Sequence, residues 1–405
     1  MKRSPHLVSA AAAFLFCAIA AAGFNLYAQH LEQQYINTLN TLDLSQFANG
    51  SALQRAAIEQ PDLLTLYGSS EITMLNTKYE ASAFFAKYPT GFAVFDVANM
   101  GASDLSIAQS LAALGPDLRG KKIVVSFTPS TVTMGPGGGV NADNYNANFS
   151  DLHANELAFS SYLSMKTKHQ AALRMLNFPD SLKNDPLLNF ALNNLADDST
   201  ANQIFYYLAW PLGRLQIAMI RLQDHRAVVS FMAHRSLKPD VKRTPSNIDW
   251  TSLIATARAE QIKQSDSNPY GIDNSRWPQY RNLMKDPLPT GSRDAAFIQH
   301  VDEAADWQDL DIMLQVLQEL GAKPLILARP MNVQIWETLG VSEQAQNFYY
   351  QKLRSVAGPY HVPLVDFQQY GTDKYFSIDM ASHTSREGWI YVDQTLDAFF
   401  HGRIQ

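Results

Sequence analysis

An uncharged apolar run at the N-terminus constrains this chain more than any other feature. It extends from Leu7 to Ala28 and follows the basic pair Lys2 and Arg3. An α-helix needs ~20 apolar residues to cross a bilayer, and the apolar core of a cleaved signal peptide is shorter than this run. We therefore predict an uncleaved signal anchor over residues 1–29, with a cytoplasmic N-terminus and an extracytoplasmic body. A cleaved signal peptide, cut after Ala28, is the alternative.

The composition of the rest of the chain predicts a folded extracytoplasmic protein. Hydrophobic residues make up 46% of the 405 residues, which is enough for a large core. The net charge is −6 and no basic run stands out, which argues against binding to nucleic acid. The one cysteine, Cys17, lies in the apolar run, so the body has no thiol for a disulfide or a metal site. We assign residues 30–60 to a polar stalk and 61–405 to the catalytic domain.

Short apolar runs alternate with amphipathic segments along the body. This pattern predicts an α/β fold with a parallel sheet covered by helices on both faces. Two of the clearest predicted helices are Asp104–Leu114 and Ala304–Leu320. The predicted strands are bounded by Gly, Pro or charged residues, and they are Leu63–Tyr67, Phe92–Val97, Ile123–Phe127, Pro324–Leu327 and Val362–Val365.

A long segment, at about residues 148–300, interrupts this alternation and is interpreted as a helical insertion. Its first part, to Arg235, carries dense apolar clusters with interleaved basic residues. One interpretation is a helical layer packed on the sheet, and the other is a surface that meets the membrane or a membrane partner. The part from Ser236 to Asp302 is polar and rich in Pro, Asn and Asp, which predicts a long ordered loop region.

The first candidate for chemistry is Ser70, which directly follows an apolar strand in the sequence Gly68-Ser69-Ser70-Glu71. A serine on a strand-to-helix turn is exposed at the edge of a sheet, where the helix N-terminus favours developing negative charge. The preceding glycine permits a tight turn. An ordinary helix N-cap is the alternative interpretation.

The second candidate is His383, which is preceded by Asp379 and followed by a helical pattern. Thr384 and Glu387 have the spacing of a capping box, so the histidine lies just before a predicted helix N-terminus. The positive end of that helix favours the neutral imidazole that a general base requires. A surface histidine in a loop is the alternative.

The order of these two motifs resembles that of the SGNH/GDSL esterase group. In that group a Gly-Asp-Ser block follows the first strand, and an Asp-x-x-His block precedes the last helix. Here Gly68-Ser69-Ser70 resembles the first block, whereas three residues instead of two separate Asp379 from His383. The resemblance implies an SGNH-hydrolase-like three-layer fold with a parallel sheet.

Further motifs make the resemblance more specific. Gly-Ser-Ser-Glu at residues 68–71 resembles the first block of the DltD family, which works in the D-alanylation of teichoic acids. Three later segments are similar to that family's second, third and Pro-x-Asn-x-x-Trp blocks, and Tyr375–Trp389 resembles its closing motif. These three segments are Asn99-Met100-Gly101, Phe127-Thr128-Pro129-Ser130 and Arg329-Pro330-Met331-Asn332 with Trp336 one position late.

The family resemblance implies a role for each matching residue. Ser70 is the nucleophile, His383 the general base and then acid, and Asp379 the residue that orients the histidine. The backbone N–H groups of Ser70 and Gly101 contribute to the oxyanion hole, and Asn99 and Ser130 complete the oxyanion and substrate-binding set. The family usually carries Gln at the position of Ser130.

The resemblance also implies a serine-dependent acyltransferase or esterase that moves D-alanyl groups to teichoic acid or a related envelope polymer. The implied partners are a membrane-bound O-acyltransferase and a D-alanyl carrier protein, in addition to the membrane and the polymer. One alternative is an acetyl esterase or acetyltransferase of an exported polysaccharide. Another is a non-catalytic adaptor that binds the carrier for the membrane acyltransferase.

No metal and no cofactor are expected. The ten histidines are scattered and form no His-x-x-x-His pair. The Gly-rich patch Gly135–Gly139 lacks the Gly-Lys-Ser/Thr ending of a phosphate-binding loop, and a flexible loop near the site is the interpretation that remains.

Overall fold

Five parallel strands form one sheet in the order β2-β1-β3-β4-β5. The computed structural model describes residues 5–39, 44–73, 77–133, 141–237 and 245–404, so the predicted loop at Gly135–Gly139 lies outside the described residues. All five predicted strands are confirmed to within a few residues. They are β1 (Leu63–Gly68), β2 (Ala93–Ala98), β3 (Lys122–Phe127), β4 (Lys323–Ala328) and β5 (Leu364–Val365).

Helices make up most of the remaining structure. Short 3-10 turns at Ser45–Phe47, Gly115–Leu118, Pro179–Leu182, Gly358–Tyr360 and Gln368–Tyr370 connect some of them. In chain order the α-helices are α1 (Pro5–Leu39), α2 (Ala52–Glu59), α3 (Ser70–Thr73), α4 (Ala81–Lys87), α5 (Asp104–Leu114), α6 (Ser130–Thr133), α7 (Ala142–Asn148), α8 (Asp151–Ala158), α9 (Met165–Met175), α10 (Pro186–Leu195), α11 (Thr200–Ala233), α12 (Trp250–Gln264), α13 (Trp277–Tyr280), α14 (Asp294–Glu303), α15 (Asp306–Leu320), α16 (Val333–Thr338), α17 (Glu343–Ala357) and α18 (Arg386–Phe400).

The sheet is covered by helices on both faces, as predicted. Successive strand side chains point to opposite faces, so Ile123 and Val125 of β3 pack in one core cluster and Val124 packs in another. The first cluster contains side chains of α5, α15 and α17, and the second contains side chains of α4, α12 and α18. Burying one such aliphatic side chain stabilises the fold by roughly 1.5–3 kcal/mol. The finer SGNH-like arrangement stays a prediction.

The N-terminal apolar run forms one continuous helix, α1, which passes through Ala28 without a break. Its segment Val8–Leu39 is long and apolar enough to cross a membrane, and the most apolar part of that segment is not buried by the rest of the protein. This helix supports the predicted single-pass anchor. The direction of insertion stays a prediction.

The segment predicted as a stalk packs on the body. At the C-terminal end of α1, Ile36 and Leu39 are buried in the large core cluster. In α2, Leu53, Ala57 and Ile58 join the same cluster. Both parts of the predicted stalk thus contact the core of the body. The proposed boundary at residue 60 between the stalk and the catalytic domain stays an expectation.

Helices in the middle of the chain continue past residue 235, into the part predicted as a loop region. Helices α8–α11 occupy the part that was expected to be helical. The prediction of a long loop region over residues 236–302 is wrong in part, because α12, α13 and α14 lie there. Helix α12 was not predicted because its sequence is mostly polar. It packs through a narrow face that includes Ala257, with Leu253 and Ile254 half-buried beside it.

Candidate active site

Ser70 is the first residue of α3 and comes two residues after the end of β1. The turn is tight: the Glu71 carboxylate accepts a hydrogen bond from the Ser69 N–H at 3.0 Å, and the Ser69 hydroxyl donates to the Asn99 carbonyl at 3.2 Å. A Cβ at Gly68 would lie 2.4 Å from a Glu71 carboxylate oxygen. A larger residue at this position would therefore have to displace the Glu71 and Ile72 side chains, and the turn holds the Ser70 side chain at the carboxyl edge of the sheet.

The strand order places this edge where ligands bind in open α/β sheets. The chain leaves β1 toward β2 on one side and leaves β3 toward β4 on the other, so the order reverses between β1 and β3. A crevice forms outside the carboxyl ends of strands at such a reversal. Ser70 follows β1, and Ser130 follows β3.

A short hairpin holds the residues from Ser377 to Thr384. These two end residues form an antiparallel bridge, and the Ile378 N–H donates to the His383 carbonyl at 2.8 Å. Ser382 has a φ of +64°, a left-handed conformation that costs a non-glycine residue of the order of 1–3 kcal/mol. The hairpin folds Asp379 back beneath His383, four residues later.

Helix α18 fixes the end of this hairpin, although its cap differs from the predicted one. The N-cap is Ser385, whose hydroxyl oxygen accepts from the Gly388 N–H at 3.0 Å. The predicted capping box of Thr384 and Glu387 is wrong, because Glu387 turns away to an ion pair with Arg258 at 2.7 Å. Burial raises the pKa of the Glu387 carboxyl, and Arg258 opposes that shift.

Ser70, His383 and Asp379 form one chain of hydrogen bonds. The Ser70 Oγ lies 2.9 Å from Nε2 of His383, and Nδ1 of His383 lies 2.7 Å from Oδ2 of Asp379. The other carboxylate oxygen of Asp379 accepts from the His383 backbone N–H at 3.3 Å. The carboxylate is 1% exposed. When Nδ1–H donates to Asp379, the lone pair of Nε2 faces the Ser70 hydroxyl, as a general base requires.

The proposed oxyanion residues follow the same edge of the sheet. Gly68 and Ala98 are paired across β1 and β2, so Asn99 and Gly101 come from the strand end next to the Ser70 turn. Gly101 has a φ of +75°. Asn148 holds this loop by donating to the Met100 carbonyl at 3.1 Å.

Ser130 stands apart from this set in its hydrogen bonding. Its hydroxyl lies 2.7 Å from the Thr128 hydroxyl, in the turn after β3. Ser130 opens the short helix α6. Its assignment to the oxyanion set rests on the family resemblance.

A buried arginine, Arg329, directly follows β4 and was not assigned a role from the sequence. Its guanidinium is fully buried, lies 5.2 Å from the centre of the Trp389 ring, and has no hydrogen-bond partner among the described residues. Burial lowers the pKa of Arg329 to about 10, and the charges of Glu71 and Asp393 oppose that shift. The signal in the sequence was its place in the Arg-Pro-Met-Asn block.

In the described part of the chain, no group of three or more His, Cys, Asp or Glu side chains is placed to hold an ion. The arrangement offers a hydroxyl, an imidazole and a buried carboxylate. This set can deprotonate a serine for attack on a carbonyl carbon.

Comparison with known families matches almost the whole body. The profile described as "DltD protein" matches residues 43–401. The chain belongs to the DltD family. This range contains each of the motif blocks that resemble the family, from the Ser70 turn to the start of α18. DltD family proteins are involved in the D-alanylation of teichoic acids.

Two named relatives agree with this assignment. "Protein DltD" of Bacillus subtilis (strain 168) is 26% identical over 354 residues, which cover 87% of this chain and 86% of the relative. "Protein DltD" of Staphylococcus aureus (strain NCTC 8325 / PS 47) is 22% identical over 404 residues, which cover 99% of this chain and 96% of the relative. The similarity to these DltD proteins therefore extends over nearly the full length of each.

Proposed function

We propose that this DltD family protein is an extracytoplasmic serine acyltransferase or esterase that transfers D-alanyl groups to teichoic acid or a related envelope polymer. The observation that carries the proposal is the hydrogen-bonded chain from Ser70 through His383 to Asp379. Family membership is the reason for proposing a D-alanyl group, and the geometry supports the acyl-serine chemistry.

The first half of the proposed reaction forms an acyl-serine. The Ser70 Oγ attacks the carbonyl carbon of an activated D-alanyl ester or thioester, and its proton passes to Nε2 of His383. When the tetrahedral intermediate collapses, the bond to the leaving group breaks and His383 gives the proton to the departing alcohol or thiol. Asp379 holds the imidazole in the required tautomer and stabilises its charged form.

The second half reverses these steps with the acceptor. A polymer hydroxyl attacks the acyl-serine carbonyl and gives its proton to His383, and the Ser70 Oγ then departs and recovers that proton. Water in place of the hydroxyl gives hydrolysis. Backbone N–H groups of Ser70 and Gly101 are the proposed oxyanion donors, each typically worth ~10²–10³ in rate.

The proposed setting is the outer side of a membrane. Helix α1 supplies the anchor, with the N-terminus in the cytoplasm and the catalytic body outside. The proposed partners are a membrane-bound O-acyltransferase and a D-alanyl carrier protein, which would supply the activated acyl group.

Replacement of the nucleophile tests the proposal. We expect Ser70→Ala to reduce ester-linked D-alanine in the envelope of a deletion strain to the level without the protein, and to prevent labelling by a fluorophosphonate probe. Ser181→Ala, in the helical insertion, is the matched control and should behave like the unchanged chain, since its hydroxyl donates to the nearby Phe178 carbonyl.

Three outcomes would contradict the proposal in different ways. Full D-alanine incorporation by Ser70→Ala would show that Ser70 is not the nucleophile. If Ser70→Ala caused loss of ester-linked acetate from the envelope and left ester-linked D-alanine unchanged, the transferred group would be acetyl. Failure of the probe to label Ser70, together with intact binding to the membrane acyltransferase, would favour a non-catalytic adaptor.

A further inference from the structure

Helix α11 carries a continuous apolar stripe on its exposed face, which the proposed reaction does not use. Its large side chains are Ile204, Leu208, Leu212, Leu215 and Met219, with exposed fractions from 53% to 68%. Steps of three and four residues place these five side chains on one face of a helix. We call this set the α11 stripe.

The opposite face of α11 holds the helix firmly on the body. Tyr206 and Ile217 are buried in the large core cluster. Gly213 lies against Phe159, where a Cβ would be only 2.5 Å from the ring. The α11 stripe is therefore a fixed outward surface, and its exposure does not come from loose packing.

Charge is sparse along this part of the helix. From Thr200 to Gln223 there is no acidic residue, and the charged residues are Arg214 and Arg221. Both arginines pair with Glu156, which is buried on the body side. A contiguous apolar face of this kind marks a contact surface for a membrane or a protein.

Contacts between α11 and the N-terminal segment give the direction of the stripe. Phe231 packs against Phe47 with ring centres 4.9 Å apart, and the His225 Nδ1 lies 2.8 Å from the Glu32 carboxylate. Further back, Arg221 lines the same cavity as Asn25. Across these contacts the residue numbers decrease in the same order in both segments. Helices α11 and α1 therefore run in the same direction.

The α11 stripe thus extends from this contact toward the membrane end of the anchor. From Met219 back to Ile204 the helix extends ~22 Å at 1.5 Å per residue. That end of α1 carries exposed apolar side chains, such as Phe16 and Ile19. The occupant that this direction favours is lipid.

We propose that the α11 stripe is immersed in the bilayer leaflet on the side of the protein body, as a second membrane contact beside the α1 anchor. Tyr207 and Trp210 lie on the same part of α11, and aromatic side chains of this kind favour the membrane interface. Among the described residues α1 is the only helix that meets the length and hydropathy required to cross a membrane, so the stripe is assigned to one leaflet and α11 is not assigned a membrane crossing. This contact would fix the height of Ser70 above the membrane.

Depth measurement on the full chain tests the proposal. The single cysteine permits a clean background, Cys17→Ser, into which Leu208→Cys or Leu215→Cys is introduced and labelled with a nitroxide. The protein is reconstituted alone in nanodiscs of phosphatidylglycerol and phosphatidylcholine. We expect both labels to lose collisions with a water-soluble nickel chelate and to retain collisions with oxygen, as the anchor control Ile19→Cys should.

The matched water-exposed control is Leu283→Cys, a leucine that is 48% exposed on the polar part of the body. Labels at positions 208 and 215 that meet the nickel chelate as freely as the label at 283 would overturn the proposal. Protection that appears only after a membrane protein is added would also overturn it, and would assign the stripe to a protein partner. Neither outcome depends on the chemistry of Ser70.

Discussion

At the scale of single residues, the unusual Asp379–His383 spacing is accommodated by one strained residue. Here the left-handed Ser382 and the Ile378–His383 hydrogen bond shorten the path, and the carboxylate reaches Nδ1 at 2.7 Å. The local backbone therefore supports the proposed orienting role of Asp379.

The first prediction concerns that carboxylate. We expect Asp379→Asn to lower the rate of D-alanyl transfer by about 10³–10⁴-fold, because an amide keeps the shape but neither fixes the tautomer nor balances the imidazolium. Asp302→Asn is the control, since Asp302 is an exposed partner of Lys352. The measurement is the single-turnover rate of Ser70 acylation. An unchanged rate for Asp379→Asn would remove this residue from the proposed triad.

At the scale of elements, the first turn of α18 bears directly on the hairpin that carries His383. A Cβ at Gly388 would lie 2.3 Å from the Phe376 carbonyl oxygen, which is backbone and cannot rotate away. The same carbonyl accepts from the Ser385 N–H at 3.0 Å. Glycine at this position lets the helix and the hairpin share one hydrogen-bonded edge.

The second prediction follows from this contact. We expect Gly388→Ala to destabilise the protein by about 1–3 kcal/mol, as overpacking typically does, and to slow labelling of Ser70 because the hairpin must shift. Gly358→Ala is the control, since a Cβ there meets nothing within 4 Å and the backbone is helical. That variant should be neutral or more stable by up to about 1 kcal/mol. Urea unfolding measures both, and equal effects would contradict the packing argument.

At the scale of the whole molecule, stability should depend on pH through a buried histidine. His153 of α8 is 3% exposed, and its Nε2 has no hydrogen-bond partner among the described residues. Burial lowers the pKa of His153 from 6.5 to about 4, against a backbone hydrogen bond to Gly50 that raises it. The folded protein therefore holds this imidazole neutral over a range in which the unfolded chain binds a proton.

The sign of the effect follows from that difference. Stability from His153 is complete above pH 6.5 and is lost as the pH falls toward 4, by about 3 kcal/mol at most. We expect His153→Gln to remove this part of the slope between pH 6.5 and 4 in urea unfolding. The exposed His234, replaced by Gln, should leave the slope unchanged. A slope that His153→Gln does not alter would contradict the prediction.

The whole-molecule architecture was largely predictable because it rests on periodicity. Each strand of the parallel sheet is buried on both faces, so each is a short apolar run that the sequence displays openly. Helix α12 escaped prediction because it rests on the body through a narrow face and is otherwise polar. The cap of α18 escaped because Ser385 and Thr384 are both good caps locally, and the hydrogen bond to Gly388 decides between them.

The sequence by itself determined the anchor, the five strands, the order of the motif blocks and the residue types of the site, because local composition and spacing encode them. Only the tertiary structure decided whether the parts meet. Ser70 and His383 lie 313 positions apart, and the sheet brings their side chains within 2.9 Å. The contact of Asp379 with His383 is accompanied by the left-handed backbone of Ser382. The buried guanidinium of Arg329 lies against the Trp389 ring. Such contacts are set by long-range burial, which no local pattern records.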